Sequence, residues 1–181
     1  MRVLNLGCGR RKDDFPEARG ASGIVGVDIS PRSQADILHD LNRFPYPLDS
    51  DSFDLVIMQD VIEHLDDVLG VMGEVYRVAR PGAIIRIRTP HYSSYYAFND
   101  PTHRRAFGYF AFDCFDVANP NVLYTEARFE YLKREILFPK IWRVTGVAAL
   151  ANRYPTRWEQ LLAFLFRAEN LALELRAVKS R

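Results

Sequence analysis

Two glycines and one carboxylate form the strongest chemical signal in this 181-residue chain. Gly7-Cys8-Gly9 follows the apolar run VLNL, and Asp28 closes the next apolar run, IVGVDI. Glycines after a strand let the backbone turn tightly and let a ligand approach the main chain without a side chain intervening. A carboxylate at the end of the following strand can accept both hydroxyls of a ribose diol. Together they point to an adenosine-containing ligand. A dinucleotide fold needs a third glycine, to pack a helix whose N-terminus holds a pyrophosphate. Position 12 is Lys12, and residues 10–20 contain Pro16 and little helical period. Ribose and adenine without a pyrophosphate fit better than NAD.

Three histidines supply the second chemical signal. His64 follows the run FDLVIMQ, His91 follows AIIRIRTP, and His103 sits in DPTH, three residues after Asp100. An imidazole titrating near neutrality suits removal of a proton from an alcohol. His91 and His103 are candidate bases, with His64 next and Asp100 placed to orient His103. Two other readings stand beside this one. His91, Asp100 and His103 offer two imidazoles and a carboxylate for a metal, in a spacing that matches no strong template. Alternatively, Asp100-Pro101 is a turn whose histidine bonds backbone. No metal is therefore assigned. Cys8 reads as a small packed residue, not a nucleophile.

These residues must be carried by an α/β framework. VLNL, IVGVDI, FDLVIMQ and AIIRIRT read as buried parallel strands, with a third short run at ADILHDL. Val68, Leu69, Met72, Val75, Tyr76 and Ala79 repeat at helical spacing behind Asp66 and Asp67, either of which can cap the start. Pro81-Gly82 ends that helix. YLKREILF (131–138) and ALELRAV (172–178) read as strands, with a terminal helix as the alternative for the latter. Thr156 and Glu159 have capping-box spacing ahead of Trp158, Leu161, Leu162 and Leu165. Helices are expected on both faces of the sheet.

LNLGCGRRK, GVDIS, ILHDLNRFPY, SFDLVIMQDVIEHL and YRVARPG, in that order, resemble the class I S-adenosylmethionine-dependent methyltransferases over about residues 2–90. The resemblance implies a Rossmann-like three-layer sandwich. Its seven-stranded, mostly parallel sheet would end in an antiparallel C-terminal hairpin. It implies S-adenosyl-L-methionine as cofactor, with Gly7 and Gly9 under its methionine part and Asp28 on the ribose. Ile29, Asp40 and Leu41 would meet the adenine, and Gln59 and Asp60 would lie near the methionine. Asn5 stands where the family often has an acid, and Cys8 lies between the two glycines. The helices that usually precede the first strand have no counterpart before Arg2, so residues 90–127, a C-terminal helix or a second subunit would cover the cofactor.

Residues 90–127 carry nine aromatics between Tyr92 and Phe115, read as a helix packing on the sheet with some side chains lining an acceptor pocket. One domain over 1–181 is expected, with 90–127 as its acceptor-side insertion. The WEQLLAFLF stretch reads as core packing or a subunit contact, with an interfacial helix as the alternative.

Composition narrows the partners. Hydrophobic residues at 48% and charged residues at 26% describe a globular chain, and no apolar run is long enough to span a membrane. The net charge is +1, with 13 basic and 18 acidic residues in 1–127 (net −5) and 11 and 5 in 128–181 (net +6). Near-neutral charge without an arginine stripe offers little electrostatic footprint for nucleic acid, and no nucleic-acid partner is expected. Two cysteines make no disulfide framework, and the chain opens without signal-peptide architecture, so the expected compartment is cytoplasmic. A small-molecule or sugar-like acceptor and a homodimer complete the expectation. The competing assignment is a non-catalytic module that binds cofactor or partner.

Overall fold

The computed structural model describes residues 1–179. Its centre is one seven-stranded sheet in the order β3-β2-β1-β4-β5-β7-β6, with β1 at Arg2–Leu6, β2 at Gly23–Asp28, β3 at Ile37–Leu38, β4 at Phe53–Gln59, β5 at Ala79–Pro90, β6 at Phe129–Leu137 and β7 at Asn170–Ala177. Only β7 runs against its neighbours, pairing antiparallel with both β5 and β6. The expected α/β, Rossmann-like sheet with an antiparallel C-terminal pair is therefore present. Its last two strands are not a tight hairpin, however. Residues 138–169 lie between them and hold the helices α3 (Lys140–Val144), α4 (Val147–Arg153) and α5 (Pro155–Leu161).

Period-two alternation divides the strands between two cores. Leu4, Leu6, Val56, Met58, Ile85 and Ile87 pack with Val71, Met72, Val75 and Val78 of helix α1 (Val68–Val78). The Asp67 side chain caps α1 by accepting from Gly70 N at 2.9 Å. Of the two candidate caps, Asp67 is the one used. The helix stops at Val78, and β5 takes over at once, pairing Ala79 with Phe53 before turning through Gly82 at φ +81°.

On the opposite face Val3, Leu55 and Ile57 are buried by Phe15, Ala21, Ile24 and Ile84. Cover there is thin: the chain between β1 and β2 makes turns and one 3-10 helix at Pro16–Gly20, not an α-helix. That absence has a chemical consequence, because no α-helix N-terminus follows the glycine loop to hold a pyrophosphate.

Two expectations about local structure fail. Residues 90–127 form turns, the four-residue helix α2 (Tyr96–Asn99) and a 3-10 helix at Asp113–Phe115. Phe107, Phe112 and Phe115 enter the main core, whereas Tyr95, Tyr96 and Phe98 are exposed. The capping box at Thr156 does not form either. The α5 N-cap is Tyr154, and Glu159 is drawn away to long-range partners described below. Trp158 and Ala163 are buried in a second cluster with Ile136, Phe138, Ala151 and Ala168, while Leu161, Phe164 and Leu165 are exposed. No helix among the described residues is long and apolar enough to cross a membrane.

Candidate functional site

Strand order reverses between β1 and β4, with β2 and β3 lying to one side and β5 to the other. The carboxyl ends of strands at such a switch point frame the ligand crevice of open α/β sheets. A cleft of about 370 Å³ lies there, lined by Gly7 beyond β1, Asp28 and Ile29 at β2, Asp40 and Leu41 beyond β3, and Asp60 and Val61 beyond β4. Seven of the residues singled out in the sequence, His64 among them, thus line one cavity. Asn42, His64 and Leu65 complete it.

The glycine loop is held in place by its neighbours. Gly7 N and Cys8 N both donate to Val27 O, at 2.8 and 3.2 Å. Gly9 N donates to Asp28 Oδ2 at 2.8 Å, and Ser30 N donates to Oδ1 at 2.8 Å. Each carboxylate oxygen keeps a second lone pair for a ligand hydroxyl. Gly7 sits at φ +68°, and a Cβ there would lie 2.4 Å from Val61 Cγ2. The loop therefore approaches the wall of the cleft as only glycine can.

Beside Asp28, Ile29 leaves 68% of its surface exposed. An apolar side chain held open at a cleft mouth suits the face of a flat base. Asp40 serves two ends: its carboxylate accepts from Asn42 N at 3.0 Å in a local turn, and it also lines the cleft. The lining offers three carboxylates, Asp28, Asp40 and Asp60, and no lysine or arginine. Such a donor set fits a cationic, phosphate-free nucleoside and opposes a dinucleotide.

Asn5, Cys8 and Gln59 lie apart from this cleft. They share with Gly7, Arg11 and Asp14 a small polar hollow of about 130 Å³. Asn5 Nδ2 donates to Lys12 O at 2.9 Å, so it ties down the loop where an acid would have carried charge. Burial, reinforced by Asp28, pushes the Cys8 thiol above its ordinary range, which agrees with a packed and unreactive sulfur. Gly9 lines neither cavity, and its contribution is the hydrogen bond to Asp28.

A larger cavity of about 690 Å³ opens beside the cleft and shares Asp60 and His64 with it. Glu63, Arg88, Tyr96, Asn99, Asp100 and His103 are among its walls. Asp60, in the left-handed region at φ +53°, forms an ion pair with Arg88 at the junction of the two spaces. His64 and His103 stack edge to face with centroids 4.6 Å apart.

Hydrogen bonding fixes the tautomer of each. Thr102 Oγ1 donates its one proton to Asp100 Oδ1 at 2.6 Å, so it must accept from His64 Nδ1 at 2.9 Å. His103 Nδ1 donates to Ala97 O at 3.2 Å, because a carbonyl only accepts. In the neutral ring both Nε2 atoms therefore carry lone pairs. Asp100 orients His64, through Thr102, and not His103 as its position in DPTH suggested.

His91 has a different fate. It is fully buried, with Nε2 3.0 Å from Glu159 Oε1 and Nδ1 2.9 Å from Ser93 Oγ. Tyr92 and Trp158 pack against the ring, and Glu159 Oε1 also accepts from Tyr109 N at 2.7 Å. His91 does not line the crevice, and its placement there as a base is corrected. Residue 91 lies just past β5, but α5 and the 107–109 segment cover that end. It pins those segments together.

Glu63 is another buried polar side chain, 1% exposed. Oε2 accepts from Thr89 Oγ1 at 3.0 Å, while Oε1 has no hydrogen-bond partner among the described residues. Burial pushes its carboxyl above the usual carboxylate range, against hydrogen bonds from its own backbone and Thr89. Arg88, Thr89 and Asn99 escaped sequence reasoning, whereas Tyr96 is one of the aromatics expected to line an acceptor pocket. Only the strand-end position of Arg88 was a usable signal.

Residues 4–87 match the family profile described as Methyltransferase domain. A "Ubiquinone biosynthesis O-methyltransferase" of Rhizobium etli is 29% identical over 101 residues, covering 49% of this chain and 41% of that protein. A "Probable S-adenosylmethionine-dependent methyltransferase" of Mycolicibacterium smegmatis is 32% identical over 100 residues, covering 49% of this chain and 38% of that one. The chain thus spans about two fifths of the length of these relatives. A solved S-adenosylmethionine-dependent methyltransferase from Archaeoglobus fulgidus superposes with a TM-score of 0.63 at 21% identity, covering 97% of this chain and 85% of that one. The likeness to that structure is one of fold.

Proposed function

We propose that the chain carries a class I S-adenosylmethionine-dependent methyltransferase domain and transfers a methyl group from S-adenosyl-L-methionine to a hydroxyl of a small-molecule or sugar-like acceptor. The observation that carries this reading is the pair of cavities meeting at Asp60 and His64. One is matched to a cationic nucleoside, and the other is walled by proton-accepting side chains.

Asp28 would take the ribose hydroxyls, Ile29 and Leu41 the adenine, and Asp40 its polar edge. Gly7, Gly9, Gln59 and Asp60 would border the methionine part. Asn5 and Cys8 would shape the hollow behind it, where Arg11 and Asp14, paired at 3.3 Å, offer opposite charges to an amino-acid group. When bound, the cofactor supplies an electrophilic methyl on a sulfonium sulfur.

The chain's own part is to align and to receive a proton. Asp60, fixed by Arg88, separates the two spaces and sets where an acceptor oxygen stops. His64, oriented by Asp100 through Thr102, presents Nε2 to take the hydroxyl proton. His103 is the second base. Alignment contributes a large share of acceleration in such displacements. Residues 90–127 supply Tyr96, Asn99, Asp100 and His103 to the acceptor wall, in keeping with an acceptor-side insertion within one domain.

The test is methyl transfer from labelled S-adenosylmethionine to a panel of phenols, sugars and polyols. A hydroxyl in that panel should become labelled, and His64→Ala should lower the rate by about 10²–10⁴-fold with cofactor affinity intact. Binding of S-adenosylhomocysteine without transfer to any hydroxyl would overturn the reading in favour of a non-catalytic cofactor-binding module.

A further inference from the structure

We propose that Glu63, His64 and His103 form a binding site for a divalent transition-metal cation of the zinc class, which holds the acceptor oxygen. One ligating atom from each residue lies within 4.8 Å of the other two, and His103 Nε2 stands 4.0 Å from Glu63 Oε1. The three come from two separate segments, the 3-10 turn Ile62–His64 after β4 and the loop after α2. Their meeting is a product of the fold.

What distinguishes this cluster from three neighbouring polar groups is how each residue uses its other atom. Metal-bound histidines nearly always donate the remaining ring N–H to an outer partner. His64 gives Nδ1–H to Thr102, which passes the interaction to Asp100, and His103 gives Nδ1–H to the Ala97 carbonyl. Glu63 engages Oε2 with Thr89 and leaves Oε1 buried and unpartnered among the described residues. A buried carboxylate oxygen with no donor is costly unless something cationic meets it. A metal ion would supply that partner.

Two imidazoles and one carboxylate suit zinc and its neighbours better than magnesium or calcium, which prefer oxygen cages. With bonds of about 2.1 Å, a tetrahedral ion wants its ligands about 3.4 Å apart, so the side chains close by about an ångström on binding. The fourth position remains open toward the 690 Å³ cavity. An acceptor hydroxyl bound there would lose its proton to solvent because the cation stabilises the oxyanion. The imidazoles would then serve as ligands, and the base role proposed above would pass to water. This catalytic consequence rests on the methyl-transfer reading, but the site itself does not.

The test uses the whole chain, stripped with a chelator and titrated with Co²⁺ followed by visible absorption, then with Zn²⁺ in competition. The expected result is one equivalent of Co²⁺ with a low-symmetry absorption band, displaced by Zn²⁺. Glu63→Gln, His64→Ala and His103→Ala should each abolish the band. Thr102→Val, which removes only an outer partner, should weaken affinity about 10–100-fold. S-Adenosylhomocysteine titration of every variant reports whether it is folded. No Co²⁺ uptake by stripped wild type that still binds S-adenosylhomocysteine would overturn the proposal. So would uptake indifferent to all three ligand substitutions. Metal uptake without any S-adenosylhomocysteine binding would leave the metal site standing and remove the cofactor reading.

Discussion

Gly7→Ala and Gly9→Ala separate close packing from backbone strain. Both residues have positive φ, +68° and +53°, so an alanine at either position bears the left-handed cost of about 1–2 kcal/mol. Only at position 7 does the new Cβ meet anything. It would lie 2.4 Å from Val61 Cγ2 and 2.8 Å from Val61 Cβ, whereas at position 9 nothing lies within 4 Å. Contacts that short cannot be relieved by swinging the end of a flexible chain, because Val61 Cβ is fixed to the backbone. Overpacking of this kind costs about 1–3 kcal/mol. Gly7→Ala should therefore lose about 2–5 kcal/mol and Gly9→Ala about 1–2. Val61→Ala should recover part of the difference, since it removes the 2.4 Å contact and leaves the one at 2.8 Å. Urea unfolding with a constant m-value measures all of these. Because Gly7 and Val61 both line the proposed nucleoside cleft, Gly7→Ala should also weaken S-adenosylhomocysteine at least about tenfold, or 1.4 kcal/mol. Equal destabilisation by the two alanines, or a loss below about 1 kcal/mol at position 7, would refute the argument that a close approach at the loop demands glycine.

Other perturbations test the remaining parts. His91→Ala should lower stability by about 2–4 kcal/mol and Tm by about 5–15 °C, with S-adenosylhomocysteine affinity nearly unchanged; a thermal scan showing no shift would return His91 to the crevice. Glu74 is half-buried against Arg77 and Tyr46 N, and although burial alone raises its pKa, those bonds together hold the carboxyl below its ordinary 4.5. Because the folded pKa is depressed, its stabilising effect is present above pH 4.5 and lost as the pH falls through the folded value. Glu74→Gln should thus cost about 1 kcal/mol at pH 7 and progressively less below pH 4.5, read by urea unfolding at pH 7 and pH 3.5; an equal cost at both would contradict the linkage.

The proposed nucleoside half of the site was legible in the sequence because its chemistry is local. Gly7, Asp28, Asp40 and Asp60 each stand within a few residues of a strand end, and parallel strands bring their carboxyl ends together. Their apolar runs also fixed the sheet. The proposed acceptor half depends on partners far apart along the chain. Glu159 shows the difference. Its spacing from Thr156 suits a capping box, yet His91 and Tyr109, 68 and 50 residues away, bind its carboxylate. The same long-range contact buries His91, which strand-end position alone had placed at the crevice. Thr102 carried no signal of its own, because its importance comes from reaching His64, 38 residues away, while it is bound to Asp100. Residues 138–169 were read in fragments for a similar reason: α3, α4 and α5 are five to seven residues long, too short for periodicity to declare them.

The most direct measurement is a calorimetric titration of S-adenosylhomocysteine into the wild-type protein and into Asp28→Ala and Asp28→Asn. One site per chain is predicted for the wild type. Both substitutions should weaken it about 10–100-fold, the worth of one or two hydrogen bonds to a charged carboxylate. No binding to the wild type at millimolar ligand, or an affinity indifferent to the loss of the Asp28 carboxylate, would contradict the assignment of this cleft to the cofactor.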